Sequence, residues 1–294
     1  MLGRGRSVLL RVPANMAIEV DNISRLLDRD DQRQRTWDDQ TLITATTRPS
    51  DIRRDRLRVR GTGDDIRKAG TERCLEVQAV GKSFAGREVV KGVSLHVERG
   101  EAVSLLGPGQ AGKTTLFHLI TGLIPADRGR IKLDGHDITS QPMYRRARMG
   151  IGYVPKDGST FGGFDVEHNI RTVLDAFEPD SRQRDPNVEA LLDEFNLAGL
   201  RNKMSNTLLG SERRRVEIAR AMAARPAFLL LNEPFAGVEP TGVDEIQARV
   251  RHLARRGMGI LIAEQMNQTS RQALEVSDRA YVICSGDLLG TLMN

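Results

Sequence analysis

Gly107, Pro108, Gly109, Gln110, Ala111, Gly112, Lys113, Thr114 and Thr115 follow one another without interruption, setting a lysine and two hydroxyls behind a glycine-spaced loop. The spacing G-x-x-x-x-G-K-[ST] is suited to phosphate. Successive backbone N–H groups and a helix N-terminus can face phosphate oxygens, the lysine ammonium reaches the β and γ oxygens, and the next hydroxyl holds Mg²⁺. Lys113 and Thr114 fill the last two roles, so the stretch is expected to hold a nucleoside triphosphate. Gln110 is unusual in a loop that must turn tightly. Because it carries a side chain, its backbone is expected to avoid the φ > 0 region that glycine tolerates.

Such a loop works only between a strand and a helix, and the flanking residues supply both. Ala102, Val103, Ser104, Leu105 and Leu106 form an apolar run before it, and Leu116, Phe117, His118, Leu119 and Ile120 read as a helix after it. Order is expected from Cys74 onward, with strand alternation over 75–80 and hairpin strands over 89–97 after a turn at Ala85 and Gly86. A short strand at 151–155 runs into Lys156. Residues 165–206 carry apolar positions at helical period, among them Val166, Ile170, Leu174, Val188, Leu192 and Phe195. They predict a small helical subdomain between sheet elements, within about 160–225. A helix at 212–221 then leads to a buried strand at 228–231 that ends in Asn232, Glu233 and Pro234. Another helix (243–255), a strand (259–263) and closing strands near 280–284 and 288–292 complete an α/β pattern. Glu233 sits where a strand's C-terminal end opens a ligand crevice, against the alternative of a capping or solvated carboxylate.

The chain has 294 residues, 28% charged and 39% hydrophobic, with a net charge of +5. That suits a globular protein with phosphate-rich or acidic partners, whether nucleotide, nucleic acid or an anionic membrane surface. Cys74 and Cys284 are far apart and in no metal-ligand spacing, which points to a reducing compartment. No apolar run is long enough to span a bilayer, so work at a membrane would be done from one side. Val8, Leu9 and Leu10 are too short a patch for a signal peptide. Residues 1–72 alternate arginine and aspartate with little apolar periodicity, predicting a disordered extension. Within it, 18–27 has the pattern of a short amphipathic helix, and the arginines of 53–60 suit acidic lipid or nucleic acid.

The phosphate loop, the helical insertion, Leu208-Leu209-Gly210-Ser211-Glu212 opening a basic helix, and Leu229-Leu230-Leu231-Asn232-Glu233-Pro234 occur in that order. Over about residues 73–294 the chain resembles the ATP-binding subunit of an ABC transporter. The run from Glu212 to Ala221, with Asn232-Glu233-Pro234-Phe235-Ala236-Gly237-Val238-Glu239-Pro240, is most similar to the lipopolysaccharide-export ATPase. Residues 116–122, Glu264-Gln265 and Gln272-Ala273-Leu274-Glu275-Val276 are similar to ATPases of branched-chain amino-acid importers. The resemblance implies a P-loop NTPase of ABC type, with a mixed sheet core, an inserted helical subdomain and an N-terminal extension. It also implies ATP and Mg²⁺ as cofactors, integral membrane transporter subunits and a second ATPase subunit as partners, and a peripheral place on the cytoplasmic face of the bacterial inner membrane. No nucleic-acid partner is expected.

In that family each ATP lies between one subunit's phosphate loop and the other subunit's signature segment. Carried over residue by residue, Phe84 stacks on adenine, Glu233 polarises the attacking water, and Gly210 and Ser211 belong to the signature that faces the partner's nucleotide. Several positions depart from the pattern. Asn232 replaces an aspartate on the Mg²⁺ side and Lys156 replaces a glutamine, making the pocket more positive; Lys156 is expected to substitute in part for the metal's charge. Leu209 replaces the signature serine and offers no donor. Gln265 replaces the switch histidine, and Glu239 an aspartate.

Two readings follow. One is a transport ATPase driving lipopolysaccharide extraction or solute import, docking its membrane subunit beside 156–164 with Phe161 and Phe164 as anchors. The other is a nucleotide-binding, poorly hydrolysing half of a heterodimer. A nucleic-acid module in the arginine-rich extension is the weaker alternative.

Overall fold

Strand alternation and buried apolar runs account for both sheets of this protein, whose computed structural model describes residues 8–10 and 73–293. The elements are β1 (Val8–Leu10), β2 (Cys74–Phe84), β3 (Arg87–Glu98), β4 (Ala102–Gly107), α1 (Lys113–Thr121), β5 (Arg128–Leu133), β6 (His136–Asp137), α2 (Met143–Arg148) and β7 (Ile151–Val154). Then come α3 (Val166–Phe177), α4 (Ser181–Glu194), α5 (Gly210–Met222), β8 (Phe228–Asn232), α6 (Pro240–Arg255), β9 (Gly259–Gln265), α7 (Gln268–Leu274), β10 (Arg279–Cys284) and β11 (Asp287–Met293).

The larger sheet is mixed, in the order β1-β11-β10-β4-β9-β8-β7. From β10 to β7 every pairing is parallel, whereas β11 and β1 add on antiparallel. Every residue of β4 and of β8 is buried, as expected for parallel strands covered on both faces. The smaller sheet, β3-β2-β5-β6, is antiparallel, and its hairpin turns at Ala85 and Gly86, both with positive φ. Leu75, Val77 and Val93 from this sheet share one core with Leu105, Leu230 and Leu261 from the other and with Leu116, Phe117 and Ile120 of α1.

Helix α1 stops at Gly122, in the left-handed region, and is held there by a distant side chain. Buried Arg146 of α2 donates to the carbonyls of Leu119 (2.7 Å) and Ile120 (2.8 Å), as well as to Gln141 and Thr139. A cation on the last carbonyls of a helix complements their partial negative charge. Helices α3, α4 and α5 lie between β7 and β8, where the helical periodicity predicted them.

Val8–Leu10 falls inside the stretch predicted to be a disordered extension, yet forms an edge strand with Val8 opposite Leu292. The expected helix at 18–27 and the arginines of 53–60 lie outside the described residues. Among the described residues, no helix is long and apolar enough to cross a membrane.

Candidate nucleotide site

The phosphate loop runs from the end of β4 into α1, and two of its glycines are sterically required. A Cβ on Gly107 would lie 2.2 Å from the carbonyl oxygen of Ile283, and one on Gly112 would lie 2.7 Å from that of Val89. Gly112 also has φ +99°. Gly109, by contrast, has open space around it. Gln110 corrects the expectation drawn from its side chain. Its φ is +61°, so the loop takes the left-handed conformation there despite the Cβ. The turn the loop must make outweighs the local preference.

No side chain caps α1 at Gly112, so its first-turn amides remain available to an anion. Within the loop Ala111 N–H donates to the Pro108 carbonyl at 3.3 Å, and Thr115 lies in the first turn of α1. The Lys113 ammonium folds back over the loop onto the carbonyls of Gly107 and Pro108, 2.7 Å from each. Burial lowers its pKa to about 8, Glu233 and Glu264 oppose that shift, and Lys156 adds to it.

Glu233 is the centre of the remaining polar groups. It follows β8, has φ +49°, and its side chain is 8% exposed. Lys156 Nζ lies 2.9 Å from its Oε2, and Gln265 Nε2 donates to its Oε1 at 3.0 Å. Strand register explains the first contact. Val154 of β7 pairs with Leu231 of β8, so Lys156 and Glu233 each leave their strand two residues later, side by side at the carboxyl edge. Gln265 ends β9, opposite Gly107 of β4, which brings it to the same edge.

Asn232 Nδ2 donates to Thr114 Oγ1 at 3.2 Å, and its own Oδ1 is buried with no partner. An orphan acceptor beside a hydroxyl fits the outer shell of a hydrated Mg²⁺, so Thr114 and Asn232 are the residues that would hold the ion. Among the described residues no cluster of three or more His, Cys, Asp or Glu offers another cation site.

Phe84 is exposed at the tip of the β2–β3 hairpin, with the Lys82 ammonium 5.5 Å from its ring centroid. The signature segment engages a different part of the chain. Gly210 leaves no room for a Cβ, which would come 2.2 Å from the Gly237 carbonyl oxygen. Ser211 donates through both its N–H and its hydroxyl to Glu239, which holds that carboxyl below its usual range. The longer acid at position 239 thus anchors the signature within the chain. Leu209 is 63% exposed and presents no donor.

Phe161 and Phe164, with rings 5.7 Å apart, are each nearly half exposed rather than core. Buried Asn169 and Ser205 hold the turn between them by hydrogen bonds to both carbonyls, and the Arg220 guanidinium lies 4.4 Å from the Phe161 ring centroid.

Two further residues contribute to the site with only a weak local sequence signal for that role. Arg214 of α5 donates to the carbonyls of Pro155 (3.1 Å) and Glu233 (3.2 Å) and pairs with Glu217 at 2.8 Å, both side chains being buried. Their i, i+3 spacing within a basic run was the available signal. Glu264, next to Gln265, is raised to about 7 by burial; Thr269 donates to its Oε1 and its Oε2 has no partner. Only its position at the end of a buried strand could have marked it.

Comparison with known proteins bears on this geometry. The family described as ABC transporter matches residues 90–236. The chain is 55% identical to a probable ABC transporter ATP-binding protein of Azorhizobium caulinodans over 77% of this chain and 80% of the relative. It is 44% identical to the lipopolysaccharide export system ATP-binding protein LptB of Escherichia coli K12, over 73% and 88% respectively. Among solved structures, the ADP conformation of MJ1267, an ATP-binding cassette of an ABC transporter, superposes with a TM-score of 0.66 at 26% identity, covering 74% of this chain and 89% of that one.

Proposed function

This chain belongs to the ABC transporter family as an ATP-binding subunit, and from that premise we propose that it binds and hydrolyses ATP to drive lipopolysaccharide export through integral membrane subunits. Subunits of this family pair with membrane subunits and dimerise. The observation that carries the hydrolytic reading is Glu233, a buried carboxylate held by Lys156 and Gln265 at the edge of the phosphate loop. Phosphoryl transfer asks the protein mainly for positioning and for charge at the γ-phosphate. The amides of 107–115 and the start of α1 orient the phosphates, Lys113 leaves its loop carbonyls for the phosphate oxygens, and Glu233 accepts from the attacking water. Mg²⁺, held by Thr114 and Asn232, would neutralise β and γ oxygen charge. The likeness to LptB supports lipopolysaccharide as cargo, and Phe161 with Phe164 supports a membrane subunit docked at that turn.

The cellular test is depletion of the chain in its host. Lipopolysaccharide should build up at the inner membrane while uptake of labelled leucine is unchanged; the reverse would identify a branched-chain amino-acid importer.

A second reading has a specific observation behind it. Exposed Leu209 gives a partner's γ-phosphate no hydroxyl, which suits a slowly hydrolysing half of a heterodimer whose other subunit carries an intact signature. Purified alone, such a half would bind ATP and turn it over only slowly.

A further inference from the structure

Two ammonium groups and one carboxylate converge on the phosphate edge of this site. Lys113 is held by loop carbonyls and Lys156 by Glu233 Oε2, while the other carboxylate oxygen accepts from Gln265. Both oxygens of the catalytic carboxylate therefore carry a donor. The backbone on either side is fixed, because Arg214 grips the carbonyl of Pro155, which precedes Lys156, and that of Glu233 itself. The side chain of Lys156 is not fixed. It is 42% exposed, at the end of a flexible four-carbon stem, and can change partner without disturbing the core. A terminal phosphate carries more negative charge than a carboxylate and offers three acceptor oxygens, so it competes for that ammonium on favourable terms.

We propose that Lys156 is a positioning residue that exchanges between Glu233 and the terminal phosphate of bound ATP. On the phosphate it supplies a cation independent of metal, and its departure leaves Glu233 Oε2 open to the attacking water. The inference rests on the ATP-binding reading above and adds to it a way of sensing the γ-phosphate.

Titration of the full chain with ATP and with ADP, each in excess EDTA, separates the possibilities. In EDTA the wild type should bind ATP about 10-fold more tightly than ADP, the scale of one charge-assisted contact. Lys156→Met should lose most of that preference, keeping only what Lys113 supplies, with ADP affinity unchanged, and Lys156→Arg should retain it. Glu233→Gln weakens the competing pair and should tighten ATP binding in EDTA, but only while Lys156 is present. An unchanged ATP-to-ADP ratio in Lys156→Met, or a Glu233→Gln gain that persists without Lys156, would overturn the exchange. Equal binding of ATP and ADP by the wild type in EDTA would overturn it alone. Failure of both nucleotides to bind, with or without Mg²⁺, would overturn the ATP-binding reading as well.

Discussion

Arg214 donates to the main-chain carbonyl of Glu233 across 3.2 Å, tying the helix that begins at Gly210 to the residue that follows β8 at the edge of the phosphate loop. The same guanidinium is paired with buried Glu217. Removing one partner of a buried pair strands the other charge, at a cost on the order of 3–5 kcal/mol. Arg214→Ala should lower the chain's stability to chemical denaturation by about that much, and adding Glu217→Gln should recover part of it. Denaturation curves for both variants that overlay the wild type would show that the pair carries no such weight.

Glu264 predicts a pH dependence. Its folded pKa of about 7 lies above the unfolded value of 4.5, so the folded chain binds the extra proton between those values. Stability is therefore undiminished by this group below pH 4.5 and falls as pH rises towards 7. Glu264→Gln cannot ionise and escapes that penalty. Relative to wild type it should gain on the order of 3 kcal/mol between about pH 4.5 and pH 8, measured as the difference between paired unfolding curves. A difference that stays flat with pH would contradict the assignment.

Two of the three glycines of the phosphate loop, Gly112 and Gly109, should respond unequally to alanine. Gly112→Ala forces a side chain into positive φ and against the Val89 carbonyl, and should cost about 2–4 kcal/mol. Gly109→Ala meets nothing within 4 Å and should stay within about 0.5 kcal/mol of wild type. Thermal unfolding of the pair decides this; equal losses would mean that the loop is not shaped by Gly112.

Leu209 sits at the exposed start of the signature helix, and a serine there would restore a hydroxyl donor. Loss of one such donor typically costs about 10² to 10³ in rate. Leu209→Ser should raise ATP turnover by about 10-fold or more, with nucleotide affinity of the isolated chain unchanged. Unaltered turnover would mean that this position does not face a transferring phosphate.

Much of this was legible in the residues. The phosphate loop, the helical insertion between β7 and β8 and the buried strand before Glu233 each have a local signature, either periodicity or motif spacing. Contacts set by pairing over long sequence separations left no such mark. Lys156 meets Glu233 because β7 and β8 are neighbours in register, and nothing near either residue announces that. Gln110 shows the opposite case: the local preference of a residue with a side chain is against positive φ, and the turn overrides it. Residue type alone marks Glu239 as a longer acid in a tight dimer-contact loop, and its bonds from Ser211 depend on folding over 28 residues.

ATP binding and turnover by the purified chain and two variants put the site to the test. Lys113→Ala should lose ATP affinity by about 100-fold or more, because it removes the desolvated ammonium closest to the phosphate loop. Glu233→Gln should keep binding while turnover falls at least about 100-fold. ATP binding indifferent to Lys113→Ala, or turnover indifferent to Glu233→Gln, would contradict the site described.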